Sequence, residues 1–392
     1  MSNENQISVY NTNLIGYYNT SKVITFGGEP MDLSDLIKIS LISKSNILLL
    51  GGTGLGKTTL AQSVGKSFFN NKMNSLRMNK DTSLKDVYEE FHPKAKEVIS
   101  INNEITKKLI TFIDECNRAP EIIQNDLFNI MDGYYNFKGQ TIPLGKDGYH
   151  IIIAAANPNN GDYTGTFGTD EALLNRFQII INMDYFKPTP KDTTQILLKR
   201  INGDKNDLSE NILKEWADNK SFISNDDYIK NTNAELIATQ YLIHGLGYCN
   251  KEDTSKKNIN IPKDCEGCND LGGFCTMTKE SNPRIKHVYQ DIYPAFIQVY
   301  EKKTGAKYEL GTIDALNDFF EILKLITPYC GIINNNSIKS RFHGNPYEAS
   351  NSILNCIKKE LIDNEAKINE TIKGSNIVFN GRLKFINQLM EY

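Results

Sequence analysis

Long apolar segments and an excess of charge of one sign are both absent from this chain. No run of about 18 apolar residues occurs in its 392 residues, which argues against a membrane-spanning helix. Its first residues, MSNENQISVYNTN, are polar and hold no apolar signal-peptide core, so we expect a cytoplasmic protein with reduced thiols. The 44 Lys and Arg residues nearly balance the 47 Asp and Glu residues, so no overall basic field points to nucleic acid, although local basic loops remain possible.

The strongest functional signal is a pair of short motifs. Residues 46–58 read NILLLGGTGLGKT, an apolar strand that runs into a full match to the phosphate-binding loop pattern. Residues 109–115 read LITFIDE, a second apolar strand that ends in two acids. A glycine-rich match alone is weak evidence, but its strand–loop–helix context and the later acidic strand together predict a nucleotide-binding site.

The loop contains the residue types that a bound triphosphate requires. Backbone N–H groups of a glycine-rich loop can close around phosphates because no side chains block the approach, and the following helix adds its positive N-terminal dipole. Lys57 is expected to reach the β- and γ-phosphates, and the Thr58 hydroxyl to ligate Mg²⁺. The predicted ATP-binding residues of the loop are Gly51, Gly52, Thr53, Gly54, Leu55, Gly56, Lys57, Thr58 and Thr59.

The two acids at the end of the second strand have separate expected roles. Asp114 is expected to complete the Mg²⁺ shell, directly or through water. Glu115 lies one residue further on, so it points elsewhere from the strand end and can polarise a water for attack on the γ-phosphate. An acidic pair at this place suits hydrolysis better than transfer to a bound acceptor, so we expect an ATPase.

The alternation of strands and helices predicts the fold. Strand patterns at 46–50, 74–78, 109–113, 151–157 and 178–183 alternate with helical ones, which is typical of a parallel α/β sheet. Helical patterns dominate from KPTPKD (187–192) onward. We therefore predict a five-stranded P-loop NTPase core with helices on both faces and a helical lid. The predicted segments are an N-terminal extension at 1–30, the core at 31–186, the lid at 187–330 with a cysteine-rich loop at 249–275, and a helical C-terminal region at 331–392.

Four motifs in this order resemble those of the AAA+ ATPases of the MoxR and dynein-related group. They are the phosphate-binding loop, DECNRAP (114–120) with the following QNDLFNIM (124–131), the strand end AAANP (154–158), and ALLNRF (172–177). The resemblance covers roughly residues 32–186 and fades over 1–30 and 331–392. It implies a ring-forming ATPase, expected to be a hexamer, with the nucleotide between neighbouring subunits.

The resemblance also implies roles for single residues. Asn157 corresponds to sensor 1 and is expected to hydrogen-bond the γ-phosphate or the attacking water. Arg176 lies in the arginine-finger segment, from which a guanidinium stabilises charge at the neighbouring subunit's nucleotide. Arg118 is a second candidate, with a salt bridge or subunit contact as the alternative. Arg284, in SNPR (281–284), resembles the sensor 2 arginine, with a solvated arginine at a helix start as the alternative.

A cysteine cluster departs from the pattern of this group. Cys249, Cys265, Cys268 and Cys275 have the spacing C-x15-C-x2-C-x6-C, and the last three lie in a segment rich in Gly, Asp and Asn. Four thiolates suit a structural Zn²⁺ site, and an iron–sulfur cluster is possible with the same ligands. His244 or His287 could replace one cysteine, and unliganded thiols are the remaining alternative.

The sequence leaves more than one function open. The resemblance implies an ATPase that remodels or matures a partner protein, often one of von Willebrand type. A nucleic-acid-linked motor or defence ATPase is the alternative, although no basic pore or added DNA-binding domain is evident. A non-catalytic nucleotide switch is disfavoured by the joint presence of Lys57, Asp114, Glu115, Asn157 and Arg176.

A predicted hairpin at 134–143 has two possible roles. It carries Tyr134, Tyr135 and Lys138 and precedes the sensor 1 strand. In the resembling group such an insertion can face a central pore. An ordinary solvent-facing hairpin is the alternative.

Overall fold

The computed structural model describes most of the chain, and those residues form two compact units. The described residues are 8–79, 81–92, 97–119, 121–157, 171–198, 205–224, 226–248, 277–279, 285–372 and 377–389. The first unit comprises Met1–Phe222 with Pro294–Lys307, and the second comprises Ile223–Tyr293 with Tyr308–Tyr392. No described helix has the length and apolar character needed to span a membrane.

The strands of the described residues all lie in the first unit. They are β1 (Ile24–Phe26), β2 (Glu29–Met31), β3 (Ile47–Leu50), β4 (Asn74–Arg77), β5 (Glu89–His92), β6 (Glu97–Ile101), β7 (Ile110–Asp114), β8 (Tyr134–Phe137), β9 (Gln140–Pro143), β10 (Ile151–Ala156) and β11 (Ile179–Asn182). Five of them form a sheet in the order β11-β3-β10-β7-β4, with every neighbouring pair parallel. The predicted five-stranded parallel core is therefore confirmed.

Helices surround this sheet because its central strands are apolar on both faces. All six residues of β10 are buried, as are the first three of β3, which is typical of a parallel sheet covered on both sides. The helices of this unit are α1 (Leu33–Ser43), α2 (Lys57–Phe69), α3 (Lys85–Tyr88), α4 (Asn103–Thr106), α5 (Glu121–Met131), α6 (Glu171–Leu174), α7 (Pro190–Leu197) and α8 (Ser209–Phe222).

The segment before β1 packs onto the helix that follows the phosphate-binding loop. The backbone N–H of Ile15 donates to Ser67 Oγ over 2.8 Å, and Ser63 Oγ donates back to the Ile15 carbonyl over 2.8 Å. Asn19 Nδ2 donates to the carbonyl of Phe186, just beyond β11, over 2.8 Å. These bonds make the segment part of the first unit.

Three antiparallel strand pairs, β1–β2, β5–β6 and β8–β9, accompany the parallel sheet, and a tyrosine contact links the segments of the last two. The predicted hairpin at 134–143 is confirmed as β8 paired with β9, whereas the pairing of β5 with β6 was not predicted. Tyr135 is buried, its ring stacks on Tyr88 at 4.9 Å, and its hydroxyl donates to Glu89 Oε1 over 2.7 Å. Tyr135 therefore anchors the hairpin, and the exposed side chain at its turn is Lys138.

The second unit is helical in its described residues. Its helices are α9 (Asp226–Asn231), α10 (Asn233–Ile243), α12 (Ile313–Ile326), α13 (Asn335–Arg341), α14 (Pro346–Asp363), α15 (Glu365–Ile372) and α16 (Phe385–Leu389). A π-helix at Val288–Ile292 leads into α11 (Tyr293–Thr304), most of which belongs to the first unit.

A buried carboxyl group lies in the core of this second unit. Glu235 on α10 is 1% exposed, and its Oε2 has no hydrogen-bond partner among the described residues. Its Oε1 accepts a long hydrogen bond of 3.4 Å from the hydroxyl of Tyr293. Burial disfavours the carboxylate and raises the pKa of Glu235 to about 7.

This raised pKa predicts a pH-dependent stability. The folded state binds the proton more tightly than the unfolded state, so the contribution of Glu235 is complete below about pH 4.5 and is lost as the pH rises to about 7. We expect the rise in pH to lower the free energy of unfolding by up to about 3 kcal/mol. Glu235→Gln should remove this contribution to the pH dependence. Urea unfolding at pH 5 and pH 8, followed by circular dichroism, measures the free energy of unfolding. Glu370→Gln, at an exposed site on α15, is the control and should behave as wild type.

Candidate functional site

Three neighbouring strands bring the predicted site residues to one edge of the sheet. The phosphate-binding loop follows β3, Asn157 follows β10, and Asp114 is the last residue of β7. Since β10 lies between β3 and β7 and all three run parallel, their carboxyl ends meet. The strand order therefore gathers residues that are about 100 positions apart in sequence.

The backbone of the loop has the conformation that its glycines permit. Gly51, Gly54 and Gly56 have φ angles of +141°, +82° and +80°, which residues with a Cβ rarely adopt. A Cβ on Gly51 would also lie 2.9 Å from the side chain of Leu55. Thr53 and Thr59 are exposed, and α2 begins at Lys57. The loop thus presents backbone N–H groups at the start of a helix, an arrangement suited to anions.

Lys57 lies inside the loop with its ammonium group fully engaged. Its Nζ donates to the carbonyls of Gly51 over 2.7 Å and Gly52 over 2.8 Å, and to Asn157 Oδ1 over 3.1 Å. Burial lowers the pKa of Lys57, while nearby carboxylates, that of Asp114 first, act in the opposite direction. The positively charged ammonium group of Lys57 is therefore held between the loop and the end of β10.

Thr58 and Asp114 form the second contact of the site. Thr58 lies in the first turn of α2, and its Oγ1 donates to Oδ2 of Asp114, at the end of β7, over 3.1 Å. A hydroxyl and a carboxylate oxygen are ligands that Mg²⁺ accepts in such sites. These two oxygens are therefore the atoms best placed to hold the metal ion of a bound nucleotide.

Glu115 is held by two arginines. Its Oε1 lies 3.1 Å from Arg118 Nη2, and its Oε2 lies 3.2 Å from Arg77 Nε. Glu115 has a φ of +55°, in the left-handed region that residues with a Cβ rarely adopt. The sequence predicts a salt bridge only for Arg118, as the alternative to a catalytic role. Arg77 was not predicted, although it is paired with Asp114 in the β4–β7 register and its place at a strand end is a signal for a site residue.

Arg176 lies at the opposite edge of the sheet from the loop of its own chain. Its carbonyl accepts a 3.3 Å hydrogen bond from Asn46, the residue before β3, whereas the loop follows β3. The length of β3 places the Arg176 edge of the sheet about 16 Å from the edge that carries the loop. The guanidinium of Arg176 pairs with Asp132 at 3.3 Å and lies 4.2 Å from the ring centre of Phe128.

The other predicted site residues lie outside the described residues. They are Arg284, Cys249, Cys265, Cys268 and Cys275. Among the residues that are described, no group of three or more His, Cys, Asp or Glu side chains could hold a metal ion. His287, which the sequence offers as an alternative metal ligand, shares a 2.6 Å hydrogen bond between its Nδ1 and Asp291 Oδ2.

Comparison with known proteins finds similarity over the part of the chain that carries this site. Residues 46–177 match the AAA domain of the dynein-related subfamily, which confirms the resemblance over that range. The protein named YojN from Bacillus subtilis strain 168, described as uncharacterized, is 33% identical over 182 residues. The match covers 43% of this chain and 57% of YojN.

Two further matches extend the comparison. The Holliday junction branch migration complex subunit RuvB of Limosilactobacillus reuteri strain DSM 20016 is 30% identical over 157 residues, which cover 39% of this chain and 41% of RuvB. A crystal structure of a candidate ATPase from Cytophaga hutchinsonii ATCC 33406 matches with a TM-score of 0.55 at 15% identity, covering 83% of this chain and 87% of that one. This last match supports the fold alone, and the chain spans about half the length of the two curated relatives.

Proposed function

We propose that this protein binds ATP with Mg²⁺ and hydrolyses it, because residues 46–177 match the AAA domain of the dynein-related subfamily. The observation that carries the proposal is the placement of Lys57 between the carbonyls of the loop and Asn157. A phosphate that enters the loop meets an ammonium group that is already positioned there. The same group can leave the neutral carbonyls of Gly51 and Gly52 for the charged phosphate oxygens.

The Mg²⁺ ion fits the pair formed by Thr58 and Asp114. Their oxygens are 3.1 Å apart, and Asp114 Oδ1 also accepts from the N–H of Glu115, which fixes the carboxylate. When bound, the ion neutralises charge on the phosphate oxygens. On the protein side, Thr58 and Asp114 would orient the ion, and Lys57 would neutralise charge on the phosphates. Asn157 can turn its amide from Lys57 toward the γ-phosphate or the attacking water.

Glu115 is the residue that we assign to activation of the water. A carboxylate at this place can accept a proton from a water aligned with the γ-phosphate. In this structure its two oxygens face Arg77 and Arg118 instead. Hydrolysis therefore requires at least one of these ion pairs to open, and Arg77, whose side chain is 75% exposed, is the one that solvent or a partner can reach.

Arg176 is assigned to a neighbouring copy's nucleotide. A side chain at the far edge of the sheet cannot reach the loop of its own chain, so the assignment requires a second copy. Release from Asp132 frees the guanidinium to stabilise charge that develops during phosphoryl transfer. We propose a ring of copies, expected to be a hexamer, in which each site is completed by its neighbour.

The change Lys57→Ala is expected to weaken ATP binding at least tenfold. It removes a charge-assisted contact of about 1.5–3 kcal/mol with the phosphates. Titration with a fluorescent ATP analogue in the presence of Mg²⁺ measures the change. Lys66→Ala, at the other end of α2, is the matched control and should bind as wild type. Equal affinity of the Lys57→Ala and wild-type proteins would overturn the assignment of the loop.

We propose that the energy of hydrolysis remodels or matures a partner protein. The chain's net charge of −3 favours a protein client over the nucleic-acid backbone. A von Willebrand-type partner, as suggested by the resemblance, is the first to test by pull-down with Glu115→Gln protein, which should hold its client.

A DNA-linked ATPase is the second candidate, and the similarity to RuvB favours it. The two functions differ in what stimulates the ATPase. Double-stranded DNA should leave the rate unchanged if the client is a protein. A several-fold stimulation that disappears as the salt concentration rises would instead support the DNA-linked function.

We also propose a structural Zn²⁺ site at Cys249, Cys265, Cys268 and Cys275, supported by their spacing in the sequence. Elemental analysis of purified protein should find about one zinc per chain in a colourless solution, because four thiolates close one tetrahedral site. Replacing Cys265 and Cys268 with Ser should remove the metal. A brown solution would indicate an iron–sulfur cluster, and freely reactive thiols without metal would contradict both forms of the site.

A further inference from the structure

An open cleft lies among four helices of the second unit. Its volume is about 440 Å³, part of which is continuous with solvent. Helices α10, α12, α14 and α15 each contribute one buried apolar side chain to its lining, namely Ile237, Leu316, Leu361 and Ile368. The four helices therefore meet around an apolar recess that their own side chains leave unfilled.

The apolar surface continues beyond this cleft. Ile362, which lines the cleft, is 40% exposed, and Ile313 is 53% exposed. Ile313 lies three residues before the lining residue Leu316 on α12, and residues three apart on a helix are neighbours. A small ligand enclosed in the cleft would leave Ile313 in water, whereas a longer segment lying across the cleft can cover it.

The cleft presents one charged group. Among the described residues of its lining, Glu365 alone is charged, and its side chain is exposed. Asn369 lies one turn further along α15 and shares this face, whereas Lys367 is two residues from Glu365 and so lies on the opposite face of the helix. The side chains of Glu365 and Asn369 form no hydrogen bond or ion pair with another residue that the structure describes. A cationic group on a partner can therefore pair with Glu365 without breaking a contact, and a carboxylate there would be repelled.

The lining also selects the form of the partner segment. An added strand needs a free sheet edge, and the described part of this unit contains no strand. Proline-rich segments bind grooves lined by aromatic side chains, and the described lining of this cleft includes none. An amphipathic helix needs an apolar groove for side chains three or four residues apart, and α10, α12, α14 and α15 form such a groove.

We propose that this cleft docks an amphipathic helix of a partner protein, which places two apolar side chains in the cleft and pairs a neighbouring Lys or Arg with Glu365. The docking goes beyond ATP hydrolysis and does not depend on it, because the cleft lies in the second unit, outside residues 46–177. The cleft takes few side chains, so the buried area stays below the roughly 800 Å² per partner of a stable interface. We therefore expect a weak and reversible contact.

The test uses the full chain, immobilised, and a phage-displayed library of helical peptides of about 15 residues with one randomised face. Selected peptides should carry Leu, Ile or Met at positions three or four residues apart, with Lys or Arg on the same face. In fluorescence anisotropy, a labelled selected peptide should bind Ile362→Gln protein at least about fivefold more weakly than wild type, the loss typical of an anchoring contact. Because Ile362 is exposed, thermal unfolding should remain that of wild type.

Reversing the charge distinguishes docking at the cleft from binding elsewhere on the protein. Selection against Glu365→Lys protein should return peptides with Asp or Glu in place of Lys or Arg. Glu370→Lys, at an exposed position of α15 outside the cleft lining, is the matched control and should select the same peptides as wild type.

Three results would overturn the inference. The first is a library that yields no enriched peptides, or peptides that bind Ile362→Gln protein as tightly as wild type. The second is a preference for Lys or Arg that persists in Glu365→Lys protein. The third is a lower mass of Ile362→Gln protein in light scattering, with peptide binding unchanged, because the occupant of the cleft would then be a second copy of this chain.

Discussion

Glu115→Gln is expected to lower the turnover number for ATP by about a thousandfold and to leave ATP affinity unchanged. The amide keeps the size of the side chain but cannot take a proton from water, and positioned general bases contribute roughly 10²–10⁴-fold. The contacts that we propose for the nucleotide come from Lys57, Thr58 and Asp114, none of which changes. Phosphate release and binding of a fluorescent ATP analogue measure the two quantities separately.

An exposed carboxylate of the same unit is the control for this substitution. Asp126→Asn, at an exposed position of α5, makes the same kind of carboxylate-to-amide change outside the proposed site and should hydrolyse ATP as wild type does. If Glu115→Gln keeps more than about a tenth of the wild-type rate, the water must be activated by another group. The ion pairs of Glu115 with Arg77 and Arg118 would then be structural.

Arg176→Ala is expected to bind ATP normally and to hydrolyse it at least about a thousandfold more slowly, the effect typical of removing an arginine that stabilises phosphoryl transfer. The loss should be repaired in mixtures. In an assembly that contains Arg176→Ala and Lys57→Ala chains, some sites combine an intact loop with an intact arginine. The mixed protein should regain part of the wild-type rate, measured as phosphate release at constant total protein.

The matched control for the mixture carries both changes in one chain. Arg176→Ala mixed with the Lys57→Ala, Arg176→Ala double variant offers no arginine to any site and should stay inactive. Recovery in this control, or no recovery in the first mixture, would contradict the assignment of Arg176 to the neighbouring site.

The parallel sheet could be predicted because its signals are local. Each central strand is a short apolar run bounded by turn residues or by the glycine-rich loop, and the helices between them dictate parallel pairing. The β5–β6 pairing was missed because both strands are short and β5, with the sequence EEFH, holds no apolar run. The contacts of Tyr88 and Glu89 with Tyr135 on β8 join segments that are distant in sequence, and no local pattern reveals them.

The residues of the candidate site could be predicted from the sequence, but most of the ion pairs between them could not. The motifs identified Lys57, Asp114 and Asn157, and the strand order brings them together. The ion pairs that hold Glu115 and Arg176 depend on a left-handed backbone residue and on side chains from other elements. Sequence spacing does not encode such contacts. The roles of all the site residues stay predictions, and Arg284 and the four clustered cysteines also lie outside the described residues.

We propose that ATP is hydrolysed at a site completed by a second copy of the chain, and this can be tested directly. The most direct measurement is the rate of phosphate release per chain at saturating ATP with Mg²⁺, over a wide range of protein concentrations. We expect the rate per chain to fall steeply on dilution, because each loop loses the neighbour that supplies Arg176. A rate per chain that is unchanged on dilution to a single chain, or no ATP hydrolysis at any concentration, would contradict it.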